Sequence, residues 1–278
     1  MISWPDPGTR VTLRYRRPAG SVPPLTDAVG HLLTVEPEVR VRTKTGAIVC
    51  VAADDVVALR VLTDAPVRTW QIRGLEQAAA AAAPGTERAW LDGWLLRAGD
   101  GVNYAVPLDV SAHAGTVAAI AEWYERRGLT PRLAIPDRLL PVPPRLSAER
   151  TERVLVRNVS ASAVAEPDPA ITVSAHPGEA GGELAVGIRS GAALARAAVT
   201  DAPDGTRWVG LSAIGAGDDP ATAATGAALL AWAAGRGATR AYLVVPDAGG
   251  SGLADALGFR AHHRRRYFPA RSPAWDTV

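Results

Sequence analysis

The sequence of 278 residues contains very little cysteine, lysine, methionine and phenylalanine. Cys50 is the only cysteine, so no disulfide can form within the chain, which suits a reducing compartment. Its neighbours Val49 and Val51 belong to a strand-like run, and we expect Cys50 to be a small buried hydrophobic residue. No apolar run reaches the length of about 18 residues that a membrane helix needs, and the N-terminal residues MISWPDPGTR lack the apolar core of a signal peptide. These absences predict a soluble, cytoplasmic protein without a membrane span.

The charge of the chain is nearly balanced. The formal net charge is +2 and the pI is about 9.0, which is too small an excess to indicate a nucleic-acid partner. Lys44 is the only lysine, and arginine, alanine and glycine are abundant. This bias is typical of a GC-rich genome, such as an actinobacterial one, so the arginines do not by themselves indicate phosphate binding. No set of His, Cys and acidic residues has metal-ligand spacing, and we expect no metal site.

Residues 9–62 alternate between apolar and polar with the period of β-strands. The runs RVTLRYR, AVGHLLTV and VRVRTKTGAIVCVAADDVVALRVL predict four or five strands, with a tight turn at Lys44-Thr45-Gly46. This order resembles a small SH3-like or Tudor-like barrel. Only Trp4 and Tyr15 could supply aromatic contacts to a peptide or nucleic acid, which favours a scaffold role over a reader.

A helix is predicted to follow the barrel. Thr63-Asp64-Ala65-Pro66 has the pattern of a helix start, and VRTWQIRGLEQAAAAAA continues as far as Pro84-Gly85. Segment 86–136 then gives apolar strands, an amphipathic helix with Val117, Ile120, Ala121 and Tyr124 on one face, and a further strand. We therefore divide the chain into a barrel at 1–63, a partial domain at 64–150 and a C-terminal domain at 151–278.

The C-terminal domain has the pattern of an antiparallel meander followed by alternating helices and strands. From Arg153, the runs RVLVRNV, ITVSA, GELAVGIRSG, AALARAAVT and TRWVGLSAIG predict successive strands joined by short turns. Gly226, Leu229, Leu230 and Ala233 then share one helix face, ATRAYLVV predicts a buried strand, and a short helix over Leu253–Leu257 precedes the last strand.

The run from AWAAGRGA through that strand to L-x-x-x-LGF resembles the C-terminal half of the GCN5-related N-acetyltransferases (GNAT). The resemblance implies an α/β (α+β) fold, with a mixed, mostly antiparallel sheet flanked by helices, beside the small N-terminal all-β barrel. In that family a Q/R-x-x-G-x-G/A loop holds the pyrophosphate of acetyl-CoA, and it corresponds here to ATAATG, residues 221–226, of which Gly226 matches. The tyrosine that often protonates the CoA thiolate corresponds to Ala254.

The same resemblance implies that acetyl-CoA is the co-substrate and that the acceptor is a primary amine of a small molecule or a protein. It places the CoA contacts on the strand and on the N-terminus of the helix that follows. These residues are Leu211, Ser212, Ala213, Ile214, Ala223, Ala224, Thr225, Gly226 and Ala227.

No catalytic residue is assigned from the sequence. Tyr242 fits a core position, Tyr267 lies on the last strand, and the pair His262-His263 before three arginines fits a solvated face. Two other functions stay open, namely a non-catalytic GNAT-fold protein that binds CoA or a partner, and a peptide or nucleic-acid reader that works through the barrel.

Overall fold

The computed structural model describes residues 4–5, 8–62, 67–159, 168–178, 182–214, 220–248 and 252–277. The chain divides into two compact units, residues 1–66 and 67–278. Among the described residues, no helix is long and apolar enough to cross a lipid bilayer.

The first unit is a five-stranded antiparallel sheet, as the alternating pattern predicts. Its strands, in the order β4-β3-β2-β1-β5, are β1 (Arg10–Arg16), β2 (Leu25–Thr34), β3 (Val39–Thr43), β4 (Ile48–Val51) and β5 (Val56–Val61). Its core contains Val11, Leu13, Leu32, Val41 and Val51. The prediction for Cys50 is wrong, because β4 alternates and turns Val51 inward, which leaves Cys50 exposed.

The helix after the first unit begins later than the sequence pattern predicts. The predicted cap at residues 63–66 lies outside the described residues, and α1 spans Thr69–Ala82. At its start the backbone N–H of Arg68 donates to the side-chain oxygen of Gln71 at 2.8 Å. The alanine run forms the C-terminal half of α1 and ends before Pro84, as expected for proline.

The second unit is built on one eleven-stranded sheet. Its order is β11-β12-β13-β14-β15-β10-β16-β9-β8-β7-β6. The strands are β6 (Glu87–Leu91), β7 (Trp94–Ala98), β8 (Tyr104–Pro107), β9 (Arg132–Pro136), β10 (Arg150–Asn158), β11 (Ile171–Pro177), β12 (Glu183–Arg189), β13 (Ala192–Asp201), β14 (Arg207–Ala213), β15 (Arg240–Pro246) and β16 (Arg260–Pro269). The helices are α2 (Val117–Glu125), α3 (Pro220–Ala234) and α4 (Gly252–Ala256).

Strand β10 corrects the predicted meander. Its sequence RVLVRNV reads as the first strand before ITVSA, but β10 pairs with β15 on one side and β16 on the other. The meander itself starts at β11 and runs through β12 and β13 to β14. Strand β16, the last in the chain, pairs with β9 of the segment 86–136. The boundary predicted at residue 150 therefore falls inside a continuous sheet.

The helices cover the two faces of this sheet. Leu75 and Ala78 of α1 pack with Trp208 and Tyr242 on one face. Leu229 and Leu230 of α3 pack on the opposite face, with residues of β13 and β14 that alternate with the first set. Leu95 and Ala134 pack with Ala80 and therefore lie on the α1 face. Their strand neighbours Trp94 and Leu133 face the other side, where they pack with Ile120 of α2. Helix α2 thus lies on the same face as α3. Helix α1 thus packs on strands from segment 86–136 and on strands from the C-terminal part of the sheet.

Candidate functional site

Two parallel strands separate near the middle of the sheet. β14 and β15 run in parallel and pair from Trp208 with Arg240 as far as Leu211 with Leu243. Beyond that point β15 continues beside β10, while Ser212 and Ala213 of β14 have no pairing residue on β15. The two strands therefore open a gap in the sheet that exposes backbone groups of β14.

A cavity of about 550 Å³ opens on the α1 face beside this gap. The C-terminal part of α1, strands β12 to β15, and residues from β7, β8 and β16 form its walls. Its polar lining residues include Glu76, Arg97, Tyr104, Ser212, Tyr242 and Arg265. A mostly apolar cavity with a few convergent polar groups is the usual form of a small-molecule site.

The charged centre of the cavity wall is a buried ion pair between α1 and β16. The carboxylate of Glu76 is 2.9 Å from Nη2 of Arg265 and also accepts from Nε of Arg265 at 3.1 Å. Burial opposes ionisation of Glu76, but the charge of Arg265 and a hydrogen bond with His263 outweigh it and lower the pKa of Glu76 to about 2. Arg265 also donates through Nη1 to Glu152 at 3.3 Å, so its charge is shared by two carboxylates.

A β-bulge brings both histidines to this centre and corrects their predicted placement on a solvated face. Val154 of β10 pairs with His263 and Leu155 pairs with Ala261, so His262 is the extra residue of the bulge. The ring nitrogens Nδ1 of His262 and His263 lie 2.8 Å apart, and Nε2 of His263 lies 2.7 Å from Glu76. Burial, together with the neighbouring His263, lowers the pKa of His262 to about 3.

Tyr242 lies in the last part of the β14–β15 pairing, one residue before the gap opens. A Cβ atom at Gly210 would overlap its hydroxyl, so the glycine allows the phenol to lie directly against β14. Burial raises the pKa of Tyr242 above its usual range, and the phenol stays protonated at neutral pH. The sequence places Tyr242 in the core, and the structure finds it buried but with its ring in the cavity wall.

The predicted strand residues lie at the gap. Leu211 and Ser212 line the cavity, and the hydroxyl of Ser212 accepts a hydrogen bond from Nε of Arg196 at 2.9 Å. Ile214 donates its N–H to Leu194 of β13, so by antiparallel alternation the N–H of Ala213 faces the opposite edge, toward the gap. Ile214 is exposed at the end of the strand. Ala213 is therefore the predicted residue that can offer a backbone donor to a ligand.

The predicted helix residues are placed less favourably. Helix α3 begins at Pro220, so its first-turn amides include Ala223, whereas Ala224, Thr225, Gly226 and Ala227 lie further into the helix. Thr225 is fully buried and donates to the carbonyl of Ala221 at 2.8 Å. These five residues do not line the cavity.

Gly226 has a packing role. A Cβ atom there would come within 2.9 Å of Leu257 and 3.3 Å of Leu211, so the missing side chain lets α3 approach the sheet. Ala254, at the position of the family's tyrosine, is also buried in the α3-side core.

The comparisons with known proteins agree with this architecture. A family model described as "Probable histone acetyltransferase Rv0428c C-terminal" matches residues 69–181 and 179–268, and a second, "Rv0428c N-terminal Sm-like domain", matches residues 5–60. The chain belongs to the Rv0428c family. The chain is 59% identical over 304 aligned positions to "Probable histone acetyltransferase Rv0428c" from Mycobacterium tuberculosis, and the alignment covers 100% of both chains.

A solved structure supports the fold of the second unit. A GCN5-related N-acetyltransferase from Kribbella flavida superposes with a TM-score of 0.52 at 15% identity, covering 75% of this chain and 97% of that one. The resemblance to GNAT proteins and the mixed, mostly antiparallel fold are thereby confirmed. For the first unit, the small all-β domain is confirmed and the family describes it as Sm-like.

In this Rv0428c-family chain, the roles of Glu76, Arg97 and Arg265 in the cavity could not be predicted from the sequence. Glu76 lies within a helix assigned from its alanines, and Arg97 and Tyr104 come from the partial domain. Glu76 carried one available signal, because it falls on the same helix face as the buried residues Ile72 and Leu75.

Proposed function

We propose that this chain is an acetyl-CoA-dependent N-acetyltransferase that transfers the acetyl group to a primary amine of a small molecule or a protein. The observation that carries the proposal is the gap between β14 and β15, which opens into the cavity beside Leu211 and Ser212. The mycobacterial relative is named for a histone acceptor. For this chain we propose only that the acceptor carries a primary amine, and we do not name the acceptor molecule.

The residues at the gap fit the thioester end of acetyl-CoA, which supplies an activated acetyl group to an attacking amine. The N–H of Ala213 faces the gap and is available to orient a carbonyl oxygen. By the GNAT resemblance the pyrophosphate lies at the N-terminus of α3, where the helix dipole favours a negative charge. Both contacts come from the backbone, so the alanines of the ATAATG segment do not remove them.

Tyr242 supplies the proton that the departing thiolate requires. Its hydroxyl lies over Gly210, one residue before the pairing of β14 with β15 ends, and the phenol carries its proton at neutral pH. GNAT proteins often carry the proton-donating tyrosine at the position that Ala254 occupies here. We assign that role to Tyr242 instead. The amine loses its own proton to water in the cavity.

Titration calorimetry with acetyl-CoA, followed by thiol release on a panel of primary amines, tests the proposal. Binding with thiol release supports the transferase. Binding without thiol release on any amine indicates a CoA-binding protein without catalysis, and the absence of binding at millimolar acetyl-CoA refutes both. Gly226→Asp is unsuitable as a site variant, because Gly226 packs against Leu211 and Leu257 and the substitution would disturb the core.

A further inference from the structure

Arg97 of β7 is a buried cation without a carboxylate partner among the residues that the structure describes. Its residue exposure is 3%, and it lines the cavity. Its Nη1 donates to the carbonyls of Ala83 at 2.6 Å and Ala80 at 3.5 Å, at the C-terminal end of α1. Its Nε makes no hydrogen bond within the described part of the chain. Buried charges are normally paired, so Arg97 requires an explanation.

The neighbours of Arg97 add positive charge. Arg88 of β6 lies directly opposite Arg97 in the strand pairing, and like charges in that position destabilise a sheet. Arg196, at the cavity, donates to the hydroxyl of Ser212 and forms no ion pair with a described residue. The acidic lining residues do not offset these charges fully, since Glu76 is engaged by Arg265 and Glu183 by Arg236. Asp100 is the remaining carboxylate of the lining, and it is exposed.

The guanidinium of Arg97 is held in a fixed position. Its central carbon lies 4.9 Å from the ring centroid of Tyr104, and that ring packs edge-on against Tyr267 at 5.3 Å. With Nη1 committed to α1 and the plane supported by an aromatic ring, the guanidinium is fixed in the cavity wall, and its Nε is enclosed there without a hydrogen-bond partner among the described residues. A planar guanidinium edge matches the two oxygens of a carboxylate.

We propose that Arg97 binds a carboxylate of the acceptor, so that the amine this protein acetylates belongs to a molecule that also carries a carboxylate. This inference rests on the proposed function, because it assigns the acceptor of the same cavity. Tyr242 lies in the same cavity wall beside the gap, so the cavity offers a proton donor at the gap and an anion site at Arg97. A basic peptide is a poor fit, since Arg97 and Arg196 of the cavity lining would repel it.

The test uses ω-amino acids paired with alkylamines of equal length, which have similar amine pKa values and differ in the carboxylate. The pairs are γ-aminobutyrate with propylamine, δ-aminovalerate with butylamine, and ε-aminocaproate with pentylamine. Thiol release by the full chain should show at least one pair in which kcat/KM is about tenfold or more higher for the amino acid, as expected for a hydrogen bond to a charged group. Arg97→Met should abolish that preference while alkylamine acetylation persists.

Matched controls separate this role from helix capping. Arg126→Met removes an exposed arginine at the C-terminal cap of α2, on the other sheet face, and should leave the preference unchanged. Arg97→Lys keeps the charge without the planar edge and should retain part of the preference. A preference that survives in Arg97→Met, or its absence in the wild type for every pair, would overturn the inference.

Calorimetry without turnover distinguishes failure of the inference from failure of the proposed function. At least one of the three amino acids should bind the wild-type chain about tenfold or more tightly than its paired alkylamine, and Arg97→Met should lose that difference. If no amine is acetylated but this difference is observed, the anion site stands and the transferase proposal fails. If Arg97→Met instead weakens binding of CoA about tenfold without altering amine preference, Arg97 serves the nucleotide and the inference is wrong.

Discussion

Glu76 provides the sharpest test of how the second unit is held together. Its side chain is 2% exposed and that of Arg265 is 7% exposed, so the pair is shielded from water. Removing one partner of a buried pair leaves the other charge without compensation, at a cost of about 3–5 kcal/mol. We therefore expect Glu76→Gln to lower the free energy of unfolding by about 3 kcal/mol at neutral pH.

The pKa of Glu76 gives an independent value for the same contribution. A decrease from the ordinary value of 4.5 to about 2 corresponds to about 3 kcal/mol. Because the folded pKa is the lower one, this stability is present above the unfolded pKa and is lost as pH falls through the folded pKa. The difference between wild type and Glu76→Gln should be constant above about pH 5 and shrink to about 2 kcal/mol at about pH 3.5.

Urea unfolding followed by tryptophan fluorescence measures these differences. Of the eight tryptophans, only Trp4 lies in the first unit, so the signal reports mainly on residues 67–278. The double variant Glu76→Leu/Arg265→Met should recover much of the stability, since it removes both charges together. A loss below about 1 kcal/mol at neutral pH, or a difference that does not shrink in acid, would refute the reasoning.

Three further predictions follow from close contacts at the sheet. Gly187→Ala should destabilise the second unit by about 1–3 kcal/mol, because its Cβ would overlap Cγ2 of Thr225, and adding Thr225→Ser should recover most of the loss in urea unfolding. Deletion of residues 260–278 should abolish cooperative unfolding of that unit by circular dichroism, because β16 lies between β9 and β10; a retained transition would contradict this. Tyr242→Phe should lower kcat about a hundredfold with little change in the affinity for acetyl-CoA, and an unchanged kcat would exclude the phenol as proton donor.

The local elements could be predicted because their patterns depend on neighbouring residues. The period of two in VRVRT and the shared face of Gly226, Leu229 and Ala233 each report which side chains face a core. These signals predict β3 and α3, and the succession of such elements supports the GNAT resemblance. A start such as that of α1 is harder to place, since Arg68 at the N-cap is not among the usual capping residues, although Gln71 at the third helical position is.

The partners of β10 could not be predicted, because alternation in a strand does not identify its neighbours. RVLVRNV fits the first position of a meander as well as the middle of a sheet. The bulge at His262 could not be predicted for the same reason, because it depends on the register between β10 and β16. The site was therefore incomplete at the level of sequence, because Glu76 and His263 lie 187 positions apart and meet only through this pairing.

The central positions of β10 and β16 in the sheet also explain how the cavity acquires its walls. Strands β11 and β12 pair directly as antiparallel neighbours at one end of the sheet. Because β16 pairs with β9 and β10 pairs with β15, the segment 86–136 shares one sheet with the C-terminal strands. That sharing brings Arg97 and Tyr104 into the same cavity as Ser212 and Tyr242. Under the proposed function, segment 86–136 supplies part of the acceptor wall, so substitutions of Arg97 or Tyr104 should alter the choice of amine more than the binding of acetyl-CoA.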